Sequence, residues 1–310
     1  MKINEINSEG KISIKALITK CDKGKTQKNT PYLSLTLEDN TGVLDTKYWN
    51  LTDEQVNKYK VGMVVAVEGD VILHRNAYQL RVHKMEIVEE NDLSAYVRSA
   101  PMTRNAMEAK VNEYISMIKD EDIKTLTKTI LQESKDDFFN YPAAVRNHHN
   151  FVGGLAFHSI SMVELCLMIA KQYPWLDKDL LISGTLLHDI GKIEELSSAV
   201  LPEYTIEGNL LGHISIMSAR VDRVAHQLNI QDKESVMLIK HMILSHHGKM
   251  EFGSPVLPMI PEAEVLSLVD NLDARIVMMK NSLDQTVPGE FGPRVFALEN
   301  RMIYHRKGSK

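Results

Sequence analysis

The chain has 310 residues, with 36 basic and 41 acidic side chains, a net charge of −5, 44% hydrophobic and 25% charged residues. These values suit a soluble globular protein of two domains, and they exclude nucleic-acid binding through bulk charge, leaving only a local patch. Two distant cysteines, Cys21 and Cys166, exclude a disulfide framework or a CxxC metal pair, and with no apolar leader in MKINEINSEG and no run such as LCLMIA long enough for a bilayer, we expect a cytoplasmic protein with no membrane partner.

Residues 11–88 have strand character. KISIKALIT alternates Ile12, Ile14, Ala16 and Ile18 on one face, and PYLSLTLED repeats the period of two. Asn40 to Gly42 is a turn signal, VLDTKYW follows, and a short helical patch spans Thr52 to Tyr59. VGMVVAVEGDVIL and AYQLRVHKMEIV complete five strands. Five strands with a helix between the third and fourth predict a small Greek-key barrel of the OB type over 1–90. Stretch 11–28 holds six lysines, including Lys23 and Lys25, against the single acid Asp22. With Tyr32, Tyr48, Trp49 and Tyr78 it offers cations and rings to a single strand. Solvated lysines and core aromatics are the plainer alternative. The nucleic-acid contacts we select are Lys23, Lys25, Tyr32, Trp49 and Tyr78.

Residues 91–137 read as a polar linker with lead-in helices. Met107, Val111, Tyr114 and Ile118 have helical spacing, and Ile123, Leu126 and Ile130 continue it. No chemistry is visible there.

From about 138 onward the sequence reads as helical without a convincing strand, so 138–310 is expected to be an all-α bundle. Apolar helices are predicted at 155–172, 177–190, 212–229, 233–246 and 261–281, the last opened by Pro261 with Glu262 and Glu264. His158 lies in the first helix, His188 and Asp189 close the second, His213 opens the third, His246 and His247 close the fourth, and Asp270 lies in the fifth. One such histidine alone reads as an ordinary core or surface residue. Imidazoles and carboxylates on five successive apolar helices call for divalent cations, which take both ligand types. The sequence offers no GxSxG, P-loop or GxGxxG, so the chemistry falls to water activated by the metal.

Lys192 follows Asp189 by three residues. If the helix continues it shares the face of His188 and Asp189, and it is suited either to holding a phosphate oxygen or to sitting at the helix C-terminus as a dipole cation. Arg146, His148 and His149 precede the first ligand on a loop and suit either phosphate contact or solvent. The Gly153-Gly154 pair predicts a tight turn.

The ordered set His158, His188-Asp189, His213, His246, Asp270 resembles the HD-domain metal phosphohydrolase superfamily, over about residues 140–290. That resemblance implies one ion held by His158, His188, Asp189 and Asp270. It implies a second ion held by His213 and His246 with Asp189 as the bridge, His247 being a ligand or a residue behind one. The barrel joined to HHNFVGGLAFHS, LLHDIGK and SHHGKMEFGSPVLPMIPEAEVLSLVDNLDAR resembles the YhaM-type 3′→5′ exoribonucleases over nearly the whole chain. No Gly-Tyr-Pro follows the histidine pair, unlike the HD-type cyclic-di-GMP phosphodiesterases.

The resemblance implies two divalent ions, manganese favoured with cobalt, iron and zinc open. It implies single-stranded RNA as substrate, with single-stranded DNA open, cut to nucleoside 5′-monophosphates by a hydroxide bridging the metals. Asp189 and Lys192 would be the catalytic residues. A homo-oligomer stays open. Two rival readings are an HD phosphodiesterase acting on a cyclic dinucleotide or other small nucleotide, and a DNA-binding protein whose HD domain is structural.

Overall fold

The computed structural model describes residues 1–90, 93–145 and 149–308. Contacts divide the chain into two units, one formed by Met1–Ser99 with Met278–Lys310 and the other by Ala100–Val277.

The first unit contains the five-stranded OB-like barrel. Its strands are β1 (Gly10–Lys25), β2 (Pro31–Asp39), β3 (Gly42–Tyr48), β4 (Val64–His74) and β5 (Ala77–Val88), with α1 (Asp53–Lys58) between β3 and β4. They close in the order β1-β2-β3-β5-β4, β3 and β5 pairing in parallel. The period of two is real: Ile14, Ala16 and Ile18 are buried with Leu33, Leu35 and Leu37 of β2. β1 does not stop at the lysines. A register shift between Ile18 and Lys20 bends it, and the strand runs on to Lys25 opposite Pro31.

Thr52 caps α1 by accepting from the Gln55 amide, the local reason this patch is a helix. The same unit ends in an antiparallel pair, β6 (Phe291–Val295) and β7 (Arg301–Tyr304). This corrects the expectation of no strand after 138. The two strands are too short, and one carries Pro293, to show alternation, while Glu299 and Asn300 turn between them with positive φ.

The second unit is helical: α2 (Arg104–Met117), α3 (Glu121–Glu133), α4 (Lys135–Phe138), α5 (Gly154–Gln172), α6 (Lys178–Leu187), α7 (Lys192–Glu195), α8 (Ile206–Gln227), α9 (Glu234–Ser245) and α10 (Pro261–Asp284), whose end passes into the first unit. Met107, Val111, Tyr114, Ile118, Ile123, Leu126 and Ile130 join its hydrophobic core with α5, α6, α8 and α9. The lead-in helices expected within 91–137 are thus α2 and α3, and their apolar stripes bury against the helical core.

α5 has the length and apolarity to cross a membrane, with mean hydropathy 1.4 over an 18-residue window, although no uninterrupted apolar run showed it. Leu155, Ala156, Ile160, Met162, Val163 and Cys166 bury it in the helical core instead.

Candidate metal centre and nucleic-acid interface

α6 ends at Leu187, and His188 and Asp189 stand just past it. The His188 Nδ1–H donates to the Thr185 carbonyl at 2.7 Å, taking up one of the carbonyls that a helix end leaves unbonded. His246, just past α9, repeats the device on the Ile243 carbonyl at 2.7 Å. His247 donates Nδ1–H to the Phe252 carbonyl at 2.6 Å. His213 follows a kink at Gly212, whose φ of 70° and ψ of 151° interrupt α8. Its freed backbone N–H and its Nδ1–H both donate to Glu195 Oε1, at 3.0 and 2.9 Å. His158, in α5, sets Nδ1 2.8 Å from Asp273 Oδ2. In all five rings Nδ1 meets an oxygen, so Nε2 is the atom turned to the common centre.

That centre is Asp189. Its Oδ2 lies 3.3 Å from His188 Nε2 and 3.9 Å from His158 Nε2. Its Oδ1 lies 3.5 Å from His213 Nε2 and 3.7 Å from His246 Nε2. Asp270 Oδ1 is 3.2 Å from His158 Nε2. The donor atoms of His158, His188 and Asp270 all fall within 4.8 Å of one another, as do those of His188, Asp189 and His246, and those of His213, His246 and His247.

Neighbouring donors around a cation at about 2.0–2.2 Å stand roughly 3–3.5 Å apart. The buried Nε2 atoms of His188, His213 and His246 and Asp189 Oδ1 have no hydrogen-bond partner here. Burying such groups unsatisfied is costly. Several lone pairs aimed at one another, with carboxylates among them, are what divalent ions relieve, so the residues present fit a metal site. The two oxygens of Asp189 face different imidazoles, Oδ2 those of His158 and His188 and Oδ1 those of His213 and His246.

The electrostatics agree. Burial pushes the Asp189 carboxyl up, but Lys192 and the surrounding imidazoles outweigh it and hold the group well below the usual carboxylate range. Burial likewise opposes ionisation of Asp270 and Asp273, and hydrogen bonds from His158, joined at Asp273 by His149, outweigh it. Burial alone would lower His158, yet Asp270 and Asp273 on its two nitrogens push it up to about 9. Burial lowers His246 and His247 and keeps them neutral, the form that binds metals.

Lys192 is not a free ammonium. The helix breaks before it, yet its Nζ donates to Asp189 Oδ2 at 2.6 Å and to the Ala143 carbonyl at 2.7 Å. His149 is buried with its Nε2 2.7 Å from Asp273 Oδ2, away from solvent. Arg146 and His148 lie outside the described residues. Gly153 takes φ 77° at the start of α5, the tight turn expected there.

The sequence reading missed Asp273, Glu195 and Ser161. Asp273 stands one helical turn after Asp270, and Glu195 two residues after a short apolar step from Lys192. Both spacings were visible, but neither marks a partner without the fold.

On the barrel, Tyr32 and Trp49 stack with centroids 4.4 Å apart at 31°. Trp49 is 39% exposed. Tyr32 lies across Gly24, where a β-carbon would stand 2.4 Å from its ring. Lys25 is exposed on β1 opposite Pro31, one position past Gly24, and Lys23 holds Asn57 Oδ1 at 2.7 Å. Tyr78 is elsewhere. Register sets Gln79 beside Asp45, so Tyr78 is about five strand positions, roughly 16 Å, from Trp49. Its hydroxyl donates to the Asn7 carbonyl at 2.7 Å.

Residues 155–275 match the HD domain, and residues 12–88 match an OB-fold nucleic acid binding domain. The chain thus joins an OB-fold to an HD domain, a class whose helical module points to a metal-dependent phosphohydrolase. Among solved structures it is similar to the SSB domain of a Synechococcus sp. protein, at 15% identity over 24% of this chain and 92% of that one, TM-score 0.23. A mitochondrial single-stranded DNA-binding protein of S. cerevisiae shares 18% identity over 27% of this chain and all of that one, TM-score 0.23. The second OB-fold domain of replication protein A from Methanococcus maripaludis shares 25% identity over 30% and 97%, TM-score 0.23.

Proposed function

We propose that the protein is a metal-dependent 3′→5′ exoribonuclease that shortens single-stranded RNA and releases nucleoside 5′-monophosphates. The observation that carries the phosphodiester chemistry is Asp189, whose two oxygens face two sets of imidazole donors. The RNA substrate and the polarity rest on the resemblance of the motif set to the YhaM-type enzymes.

When bound, two divalent ions would supply an activated water and neutralise phosphate oxygens. His158, His188 and Asp270 would hold one, His213, His246 and His247 the other, and Asp189 both. Manganese is the ion we favour. Lys192 keeps Asp189 ionised and aimed, through its 2.6 Å contact. The backbone carbonyls of Thr185, Ile243 and Phe252 and the carboxylates of Glu195 and Asp273 orient the rings. On the barrel, Tyr32 and Trp49 would stack on bases while Lys23 and Lys25 meet the backbone phosphates.

The test is a 5′-labelled single-stranded RNA incubated with Mn2+, with and without EDTA. A metal-dependent ladder that shortens from the 3′ end, absent in His188→Ala/Asp189→Ala, is expected. Intact RNA across a range of divalent ions, with turnover of a cyclic dinucleotide, would replace this reading by the small-nucleotide one.

A further inference from the structure

Asp273 draws three side chains to one buried carboxylate. Oδ2 faces His158 Nδ1 at 2.8 Å and His149 Nε2 at 2.7 Å, and Oδ1 accepts from the Ser161 hydroxyl at 2.6 Å. The helices explain the convergence. His158 and Ser161 are one turn apart on α5, and Asp270 and Asp273 are one turn apart on α10. The His158 ring is thereby held at both nitrogens by one helix, Nε2 near Asp270 and Nδ1 near Asp273.

We propose that Asp273 is a positioning residue of the metal centre, fixing His158 as the tautomer that presents Nε2 and bracing it through His149 and Ser161. This rests on the metal reading above. An ionised carboxylate only accepts, so the atoms facing it are the donors His158 Nδ1–H and His149 Nε2–H. With one proton kept on Nδ1 by Asp273, a cation beside His188 and Asp270 displaces the proton at Nε2 and takes that nitrogen as its ligand.

The three residues His149, His158 and Asp273 are also close enough to hold an ion themselves. Their spacing argues for hydrogen bonds instead. Contacts of 2.6–2.8 Å are those of donors on a carboxylate, and an ion there would need His158 Nδ1, the nitrogen opposite the one that faces Asp189.

His149 is built into this brace at a cost. Its φ of 46° is left-handed, its carbonyl accepts from the Ala143 amide at 3.1 Å, and a β-carbon at Gly154 would stand 2.0 Å from that carbonyl oxygen. A strained backbone persists where the surroundings over-determine it. Glycine at 154 is what allows α5 to begin against His149.

The experiment titrates purified wild-type protein and Asp273→Asn with Co2+, reading visible absorption, stoichiometry and thermal midpoint, with RNA shortening as a separate assay. Wild type is expected to take two Co2+ per chain. Asp273→Asn is expected to bind one of them about 10–100-fold more weakly, with an altered visible spectrum and a cooperative thermal transition retained. Equal affinity and spectrum in the variant would overturn the proposal, as would three ions in wild type falling to two in the variant. A wild type that binds no Co2+ would instead sink the metal reading itself. A second measurement does not depend on the variant folding: nitrogen-15 NMR of the Zn2+-loaded wild type should show His158 protonated at Nδ1. A deprotonated Nδ1 would overturn the proposal.

Discussion

Gly191 packs against the backbone of His213 so closely that a β-carbon on it would stand 2.2 Å from the His213 carbonyl oxygen. The contact lets the turn after Asp189 lie against the start of the second part of α8, and so brings His213 Nε2 to 3.5 Å from Asp189 Oδ1. Gly191→Ala must push these segments apart. We expect a loss of about 1–3 kcal/mol of stability, as for overpacked cores, and a Mn2+ content falling from two ions towards one. Calorimetry and elemental analysis of the same sample check both; a variant with wild-type metal content would refute the packing argument.

Asp189 and Lys192 form a buried pair, and removing one member strands the other. Asp189→Asn should lose about 3–5 kcal/mol by denaturant unfolding, as for other broken buried pairs. Asp189→Asn/Lys192→Met should recover most of that stability while RNA shortening stays abolished. If the double variant regained activity, Asp189 would have no role beyond its ion pair.

Metal binding should release a proton. His158, raised from 6.5 to about 9 by Asp270 and Asp273 against the opposing effect of burial, holds its proton at neutral pH before any cation binds. A metal at Nε2 must displace it, so apparent affinity should rise with pH up to about 9 and then level off. The same shift makes the protonated ring stabilising below its unfolded pKa, with that contribution lost as pH climbs through about 9. Calorimetric titration at pH 7.5 in buffers of different ionisation enthalpy should report about one proton per first ion, and zero would contradict it.

Trp49→Ala and Tyr32→Ala should each weaken single-stranded RNA binding by roughly 5–150-fold, the equivalent of about 1–3 kcal/mol per stacked base. Hydrolysis of bis(p-nitrophenyl) phosphate, which needs no strand, should be unchanged. Tyr78→Phe loses only the bond to Asn7 and should bind RNA as wild type does. Fluorescence anisotropy separates these outcomes.

The barrel was legible because alternation survives a partner: Ile14, Ala16 and Ile18 face inward whatever they pair with. The helices that carry His158, His213 and Asp270, and those that end just before His188 and His246, were legible for the corresponding reason at period 3.6. What the sequence hid were relationships set by packing between elements. Glu195 and Asp273 look like any solvated acid until α8 and α5 are brought against them. Lys192 is expected to share a face with Asp189 if the helix continues; α6 ends at Leu187, yet the turn after it keeps the Lys192 amide on the Asp189 carbonyl at 3.0 Å, and the side chains still meet three residues apart. The short β6–β7 pair had too few residues for any period to register.

The barrel unit is discontinuous in sequence, with Met1–Ser99 and Met278–Lys310 bracketing a helical unit that runs as one uninterrupted segment. The helical unit is thus an insertion in a host whose two ends lie on either side of it. Cutting the gene at residue 99 would part the closed barrel from residues 278–310, which group with it, and trimming the C-terminal thirty or so residues would spare both the barrel strands and every residue facing Asp189. Because the second boundary, Val277–Met278, falls inside α10, a domain-splitting experiment that excises the middle should make its second cut after Asp284 rather than through the helix.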